Sequence, residues 1–194
     1  MNEKLDAELC STYPKMFVNR HADMTTTAMC WGFECGDGWY NIIASLCANI
    51  QHHIDYSIKR NKADNDYNMM LIEAHQGKFD RFNEYYKGYR EDFVEDKREE
   101  LLKEDFRDVT PIIDQVTVDQ VKEKFGTLRF YYTGGDEVIR GMVRMAESMS
   151  AVTCEECGAP GKQRQGGWIR TLCDEHEAER QARYKERFGD VDKG

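Results

Sequence analysis

From Trp39 onward the apolar residues Trp39, Ile42, Ile43, Leu46, Ile50 and Ile54 recur at the spacing of one helical face. That period predicts a helix over about 38–58. The turn Gly36-Asp37-Gly38 precedes it, with Asp37 placed to cap the helix and a short apolar segment, "WGF", just before. A different period takes over after Pro111. In "PIIDQVTVDQVKEKFGTLRFYYTGGD" two β-rich runs flank a turn at Glu123–Thr127, where Gly126 can take the positive φ of a tight hairpin. In the second run Leu128 and Phe130 face one way while Arg129 and Tyr131 face the other. Gly134-Gly135 ends the run, and a helix is expected from about Asp136 to Ser150. Its apolar side is read as Val138, Met142, Met145, Ala146 and Met149. The fold class that follows is α+β: a small antiparallel sheet including residues 112–132, with the helices at about 38–58 and 136–150 packed on it.

Between these ordered stretches the pattern loosens. "KFDRFNEYYKGYREDFVEDKREELLKEDFRD" is charged and aromatic, and Phe79, Phe82, Tyr86, Phe93 and Leu101 make only a loose stripe. It predicts a solvated helical insertion at about 61–110 inside a domain spanning 1–150, with Gly77 and Gly88 as breaks. Residues 151–194 form a separate module packed on that domain.

Composition narrows the function. The chain has 194 residues, 32% of them charged and 11% aromatic, with a formal net charge of −9. An acidic surface repels a phosphate backbone at long range, which argues against a general nucleic-acid binder. Most of the acid excess falls between Asn61 and Asp114, while from Gln115 onward the charges nearly balance, so anion binding belongs in the second half. The opening "MNEKLDAELC" lacks the apolar core of a secretory leader, and an odd cysteine count does not suit a disulfide framework. A reducing cytoplasm is the expected location, with no membrane association.

Three of the seven cysteines stand in "TCEECGAPGKQRQGGWIRTLCDEH". The pattern Cys154-x2-Cys157, a fifteen-residue loop, then Cys173-x2-His176 suits a tetrahedral Zn²⁺ site, each short pair holding one edge. A knuckle at Cys157-Gly158, a return strand in "GGWIRTL" and a second ligand pair at the start of a charged helix predict a treble-clef-like module. With all four positions supplied by protein, the zinc is read as structural. Cys30, Cys35 and His21 lack such spacing and are assigned to packing or surface.

Outside the zinc motif, Lys122, Lys124, Arg129, Tyr131 and Tyr132 lie together on predicted β-structure. Alternation can set cations and phenol rings along one face, suiting a ligand with both phosphate and base. The plainer alternative is a core face of Phe125, Leu128 and Phe130 under a polar outer face. Lys162, Arg164 and Arg170 around Trp168 form a second cationic patch, read either as a nucleic-acid contact or as solvated loop charge beside a core tryptophan. The glycine turns in "GDGW" and "TGGD" can cradle anions but are read as structural joints, with Asp136 occupying the start of its helix.

In combination, "WGFECGDGWY", "VKEKFGTLRFYYTGGD", "CEECGAPG" and "GWIRTLCDEH" resemble a group of small accessory proteins encoded by tailed bacteriophages and prophages. The resemblance covers residues 13–60 and 111–176, leaving 61–110 outside it. It implies an accessory protein in a bacterial host cytoplasm and carries over no catalytic residues. Such proteins often act by binding in counter-defence. The expected function is therefore non-enzymatic sequestration of a small nucleotide-type signalling ligand. Two alternatives stay open: a protein-binding inhibitor of a host defence or regulatory protein using the acidic insertion, and a nucleic-acid-associated regulator using the zinc module. Self-association also stays open.

Overall fold

A computed structural model describes residues 1–166 and 168–189 of the chain. It is a mixed α+β protein that divides into two compact units, one formed by Met1–His53 with the chain from Asp114 onward, the other by Ile54–Ile113. Among the described residues no helix is long and apolar enough to cross a membrane.

The first unit opens with α1 (Glu3–Thr12), capped by the Asn2 side chain, which accepts from the Leu5 N–H at 3.0 Å. A short 3-10 turn at Ala28–Trp31 leads into β1 (Phe33–Glu34). The hairpin of β2 (Thr117–Lys124) and β3 (Thr127–Thr133) completes a three-stranded sheet in the order β1-β2-β3. β2 and β3 pair antiparallel, but β1 lies parallel to β2, with Phe33 opposite Val121 and Glu34 opposite Lys122. Of the short apolar segment before the glycine turn, Trp31 belongs to the 3-10 turn and Phe33 to the strand, and the sheet is mixed where a purely antiparallel one was expected.

At the hairpin apex Phe125 and Gly126 both have positive φ, 54° and 75°, the pattern of a two-residue type I′ turn. Phe125 therefore leaves the strand alternation and stands 66% exposed instead of joining the core. One sheet face carries the buried Phe33, Val118, Val121, Leu128 and Phe130.

On β3 lies α5 (Glu137–Ser150), capped by Asp136, whose carboxylate accepts from the Ile139 N–H at 3.0 Å and meets His53 Nε2, also at 3.0 Å. Burial alone would raise this carboxyl, but the helix N–H and the His53 contact hold it below its ordinary value. The buried side of α5 is Ile139, Val143, Ala146 and Ser150, while Val138, Met145 and Met149 are exposed. That side is rotated from the expected one for a polar reason. β3 is an edge strand, and its Leu128 and Phe130 N–H groups donate to Ser150 Oγ (2.8 Å) and Glu147 Oε1 (3.1 Å). Bringing these two acceptors to the edge satisfies buried backbone donors and leaves Met145 and Met149 outside, with Met142 half-buried.

After α5 come β4 (Lys162–Arg164) and β5 (Arg170–Leu172), an antiparallel pair, and then α6 (Asp174–Phe188). Gly167 in the connecting loop, and 190–194 at the end of the predicted module, lie outside the described residues.

A single helix, α2 (Tyr40–His75), begins in the first unit and runs into the second, so the predicted helix at about 38–58 is part of a longer one. Asp37 does not serve as its cap in the expected way: both carboxylate oxygens accept from Asn2, at 2.7 Å each. The second unit continues with α3 (Asp80–Tyr85) and α4 (Glu91–Leu101). It has its own core of Met70, Leu71, Ala74, Phe82 and Leu101, whereas Phe93 stays exposed. A polar ladder ties the returning chain to α2. Asp64 accepts from the Thr110 N–H and hydroxyl (3.1 and 2.7 Å), and Asn68 exchanges two hydrogen bonds with the Arg107 backbone.

Candidate metal centre and open sheet face

The metal candidates converge. Cys154 begins a tight knuckle in which its carbonyl accepts from the Gly158 N–H at 2.9 Å, and Gly158 turns the chain with φ 77°. Cys173 is the N-cap of α6, which places His176 one turn away, facing back. All four ligand atoms lie within 4.8 Å of one another. The Cys154 and Cys173 sulfurs stand 3.5 and 3.2 Å from His176 Nδ1, and the Cys157 and Cys173 sulfurs stand 3.9 Å apart. A tetrahedral ion with Zn–S of about 2.3 Å and Zn–N of about 2.0 Å requires edges of roughly 3.5–3.8 Å. The donor set can hold a metal ion.

The thiols differ in character. Burial would push Cys154 up, but backbone N–H groups at Cys173, Cys157 and Glu156 point at its sulfur and bring it down to about 7. Cys10 and Cys35 are driven the other way, to about 12, chiefly by burial, and Cys47 is raised by the same cause. Those three belong to packing. Among the described residues, the Cys154–His176 set is the one such ligand cluster that could hold a metal ion.

The knuckle sits in a socket made by the N-terminal glycine turn. The Gly38 N–H donates to the Glu155 carbonyl at 2.8 Å, the Gly36 N–H to Glu155 Oε1 at 3.0 Å, and Trp39 Nε1 to the Thr153 carbonyl at 2.9 Å. A Cβ on Gly38 would collide with the Cys154 carbonyl and come within 2.5 Å of the Gly158 nitrogen and 2.7 Å of the Cys157 nitrogen. One on Gly36 would collide with the Glu155 backbone. Glu155 is buried and answers Arg170, whose Nε and Nη2 lie 3.0 and 2.9 Å from Oε2. Sequence reasoning took Gly36 and Gly38 for an ordinary joint and missed Glu155 altogether. The usable signal was two glycines flanking one residue immediately before a tryptophan, more freedom than a single turn requires.

The chain was compared with family models, with curated proteins and with solved structures. It matches none. Its chemistry must be argued from the site.

The cations of the metal loop are neutralised. Lys162 and Arg164 both meet Asp174, at 3.3 and 2.5 Å, and Arg170 meets Glu155 and Glu156. Trp168 is not a core residue: it is 69% exposed, with Nε1 donating to Glu123 Oε2 at 3.1 Å. The other oxygen of Glu123 accepts from the Gly126 N–H, and Thr171 Oγ1 donates to the Gly126 carbonyl at 2.6 Å. The hairpin apex is thereby pinned to β5.

The sheet face opposite the core is different. Lys122 pairs with Arg129, Gln120 with Tyr131 and Lys124 with Thr127, and directly opposed residues share a face. Lys122, Lys124, Arg129 and Tyr131 therefore lie together. Tyr132 does not join them: it opposes the buried Val118, its ring lies 6.1 Å from that of Phe130, and burial raises its phenol. The strict two-residue alternation puts it on the core side. Lys122 Nζ lies 5.4 Å from the Tyr131 ring and Lys124 Nζ 5.5 Å from the Phe125 ring. Arg129 donates to the Thr127 hydroxyl and the Leu128 carbonyl, both at 2.7 Å. Among the described residues no carboxylate forms an ion pair with these three cations. Glu34, at the neighbouring strand, accepts instead from Gln120 at 2.9 Å.

Proposed function

We propose that the protein is a non-enzymatic binding protein that captures a small nucleotide-type anion on the face formed by Lys122, Lys124, Arg129 and Tyr131. A structural Zn²⁺ on Cys154, Cys157, Cys173 and His176 staples a treble-clef-like module to the same unit. The observation that carries this reading is the contrast in charge pairing. Cations of the Cys/His loop form ion pairs with carboxylates, whereas among the described residues those on the open sheet face form none: Arg129 meets neutral oxygens, Lys122 and Lys124 meet aromatic rings, and Glu34, opposite Lys122, is taken by Gln120. Arg129 can offer a fork to two phosphate oxygens, and Tyr131 offers a ring for a base. The resemblance to phage accessory proteins supports a sequestering, counter-defence role. Calorimetry against cyclic di- and trinucleotides and ADP-ribose derivatives tests it. Arg129→Ala should lower affinity roughly thirtyfold, about 2 kcal/mol; binding unchanged by that substitution, or a ligand recovered chemically altered, overturns it.

A second reading has its own observation. α2 and α5 enclose a cleft of about 310 Å³ lined by Ile42, Leu46, Met142, Met145 and Met149. Flexible methionines suit adaptable protein contacts, which favours the host-protein inhibitor and moves its expected surface from the acidic insertion to this cleft. Co-purification of a host protein that Met145→Lys abolishes would favour it over the nucleotide reading.

A further inference from the structure

The open face does not end at Tyr131. Along β3 the outward side chains run Tyr131, Arg129, Thr127, and at the hairpin apex the Phe125 ring lies beside Nζ of Lys124, which pairs with Thr127 on that face. Phe125 is a bulky residue held at φ 54°, a left-handed conformation that side chains other than Gly, Asn and Asp adopt at a steric cost. The adjoining Gly126 needs such a conformation for the turn, but the turn does not need an aromatic ring beside it. That ring is neither buried nor used for packing: it is 66% exposed, with Lys124 Nζ 5.5 Å from its centroid. Strain retained at an exposed side chain points to a use for the side chain.

The apex is also fixed in place. The Phe125 carbonyl accepts from Gln163 Nε2 at 3.0 Å, the Gly126 carbonyl from Thr171, and the Gly126 N–H donates to Glu123. A ring on a pinned turn is pre-organised, whereas one on a free loop would lose entropy on binding. The face therefore has an aromatic ring at each end, Tyr131 and Phe125, with Lys122, Arg129 and Lys124 between them. At about 3.4 Å per residue, Tyr131 and Thr127 alone are roughly 14 Å apart, with Phe125 beyond. A single nucleotide placed on Tyr131 does not reach Phe125; two or three linked nucleotides do.

We infer that this face binds a short phosphodiester-linked oligonucleotide, one base stacking on Tyr131 and another on Phe125, with the intervening phosphates on Lys122, Arg129 and Lys124. The inference rests on the nucleotide reading of the same face and adds the size of the ligand. Three local cations match a few phosphates, and the net charge of −9 opposes the approach of a long polyanion. A short linear strand and a cyclic oligonucleotide share this chemistry.

The test uses the full-length protein and calorimetry with adenosine 5′-monophosphate, linear tri-adenylate and cyclic tri-adenylate, and with the guanylate counterparts. A trinucleotide, linear or cyclic, should bind at least tenfold more tightly than its mononucleotide, since each stacked base contributes on that order. Phe125→Asn keeps a residue that tolerates positive φ and should melt no lower than wild type. It should reduce trinucleotide affinity to the mononucleotide level and leave mononucleotide affinity within twofold, while Phe125→Trp should retain the gain. The linear and cyclic arms identify the source. If mono- and trinucleotides bind equally, or Phe125→Asn binds trinucleotides as wild type does, the second stacking station is wrong and the single-nucleotide site stands. If no probe of either length binds, the nucleotide reading falls and this inference falls with it.

Discussion

Two cationic stretches of the first unit look alike as sequence and behave oppositely as structure. Lys162, Arg164 and Arg170 lie near an exposed tryptophan, and Lys122, Lys124 and Arg129 lie near an exposed tyrosine and phenylalanine. In the first group Asp174, Glu155 and Glu156 meet the cations within 2.5–3.3 Å. In the second, among the described residues, no carboxylate forms an ion pair, and the contacts are a hydroxyl, a carbonyl and two ring faces. A paired cation on a folded loop positions the chain and has little left to offer an anion. An unpaired cation on a rigid strand keeps its full attraction for a phosphate. Which of the two a lysine or arginine becomes is decided by residues that arrive from elsewhere in the chain.

The sharpest way to break this comparison is to remove what organises the paired group. Cys157→Ser deletes one of the four side chains proposed to hold zinc. Structural zinc contributes on the order of 10 kcal/mol in small domains, so the variant should lose bound metal and unfold at least residues 150–176. Elemental analysis of the wild type should show one equivalent of zinc, and a variant that melts like wild type would refute the structural role.

Gly38→Ala should come next. Its methyl group collides with the backbone of Cys154, Cys157 and Gly158, none of which can move without disturbing the metal site. A loss of about 3 kcal/mol is expected, at the upper end of ordinary substitutions, read by urea unfolding. A chelator-competition assay should show weakened metal retention in the same variant. Gly77→Ala is the contrast: its added Cβ meets nothing within 4 Å, and only the positive φ of 76° opposes it. It should leave metal retention unchanged.

Asp174→Asn should produce the smallest change in stability, because the carboxylate is 84% exposed and screened by solvent. It sharpens the comparison in another way. Releasing Lys162 and Arg164 converts paired cations into unpaired ones, so weak, salt-sensitive phosphate binding should appear in the metal loop. Phosphate titration followed by NMR would detect it. If the loop stays indifferent to phosphate, pairing is not what separates the two groups.

The parts legible in the sequence are those encoded by short-range spacing. The Cys-x2-Cys and Cys-x2-His pairs each sit within one turn of chain. The alternation in β3 places Leu128 and Phe130 inward, and Asp136 caps the helix three residues before Ile139. What escaped depends on partners distant in the chain. The rotation of α5 is set by Ser150 and Glu147 accepting from β3, so two polar residues define a face that hydropathy assigned to methionines. Tyr132 was grouped with Tyr131 because they are adjacent, although adjacency in a strand means opposite faces. Phe125 was taken for core because an apolar residue beside a strand normally is; the type I′ geometry of the turn lifted it out. Gly36 and Gly38 answer to residues well over a hundred positions away, beyond any local pattern.

That last separation has a kinetic consequence. β1 finds its parallel partner only after the whole of Ile54–Ile113 has been made, and the glycine socket closes on a knuckle that emerges later still. Contacts of such high sequence separation are slow to form, because loop closure must precede any gain from packing. On the ribosome the N-terminal segment therefore waits without its final partners, while the helical unit, whose core lies within Met70–Leu101, can fold as soon as it is exposed. The Cys154–His176 cluster, which needs residues made later than the helical unit, comes together only after that unit has formed, and the glycine turn closes on it.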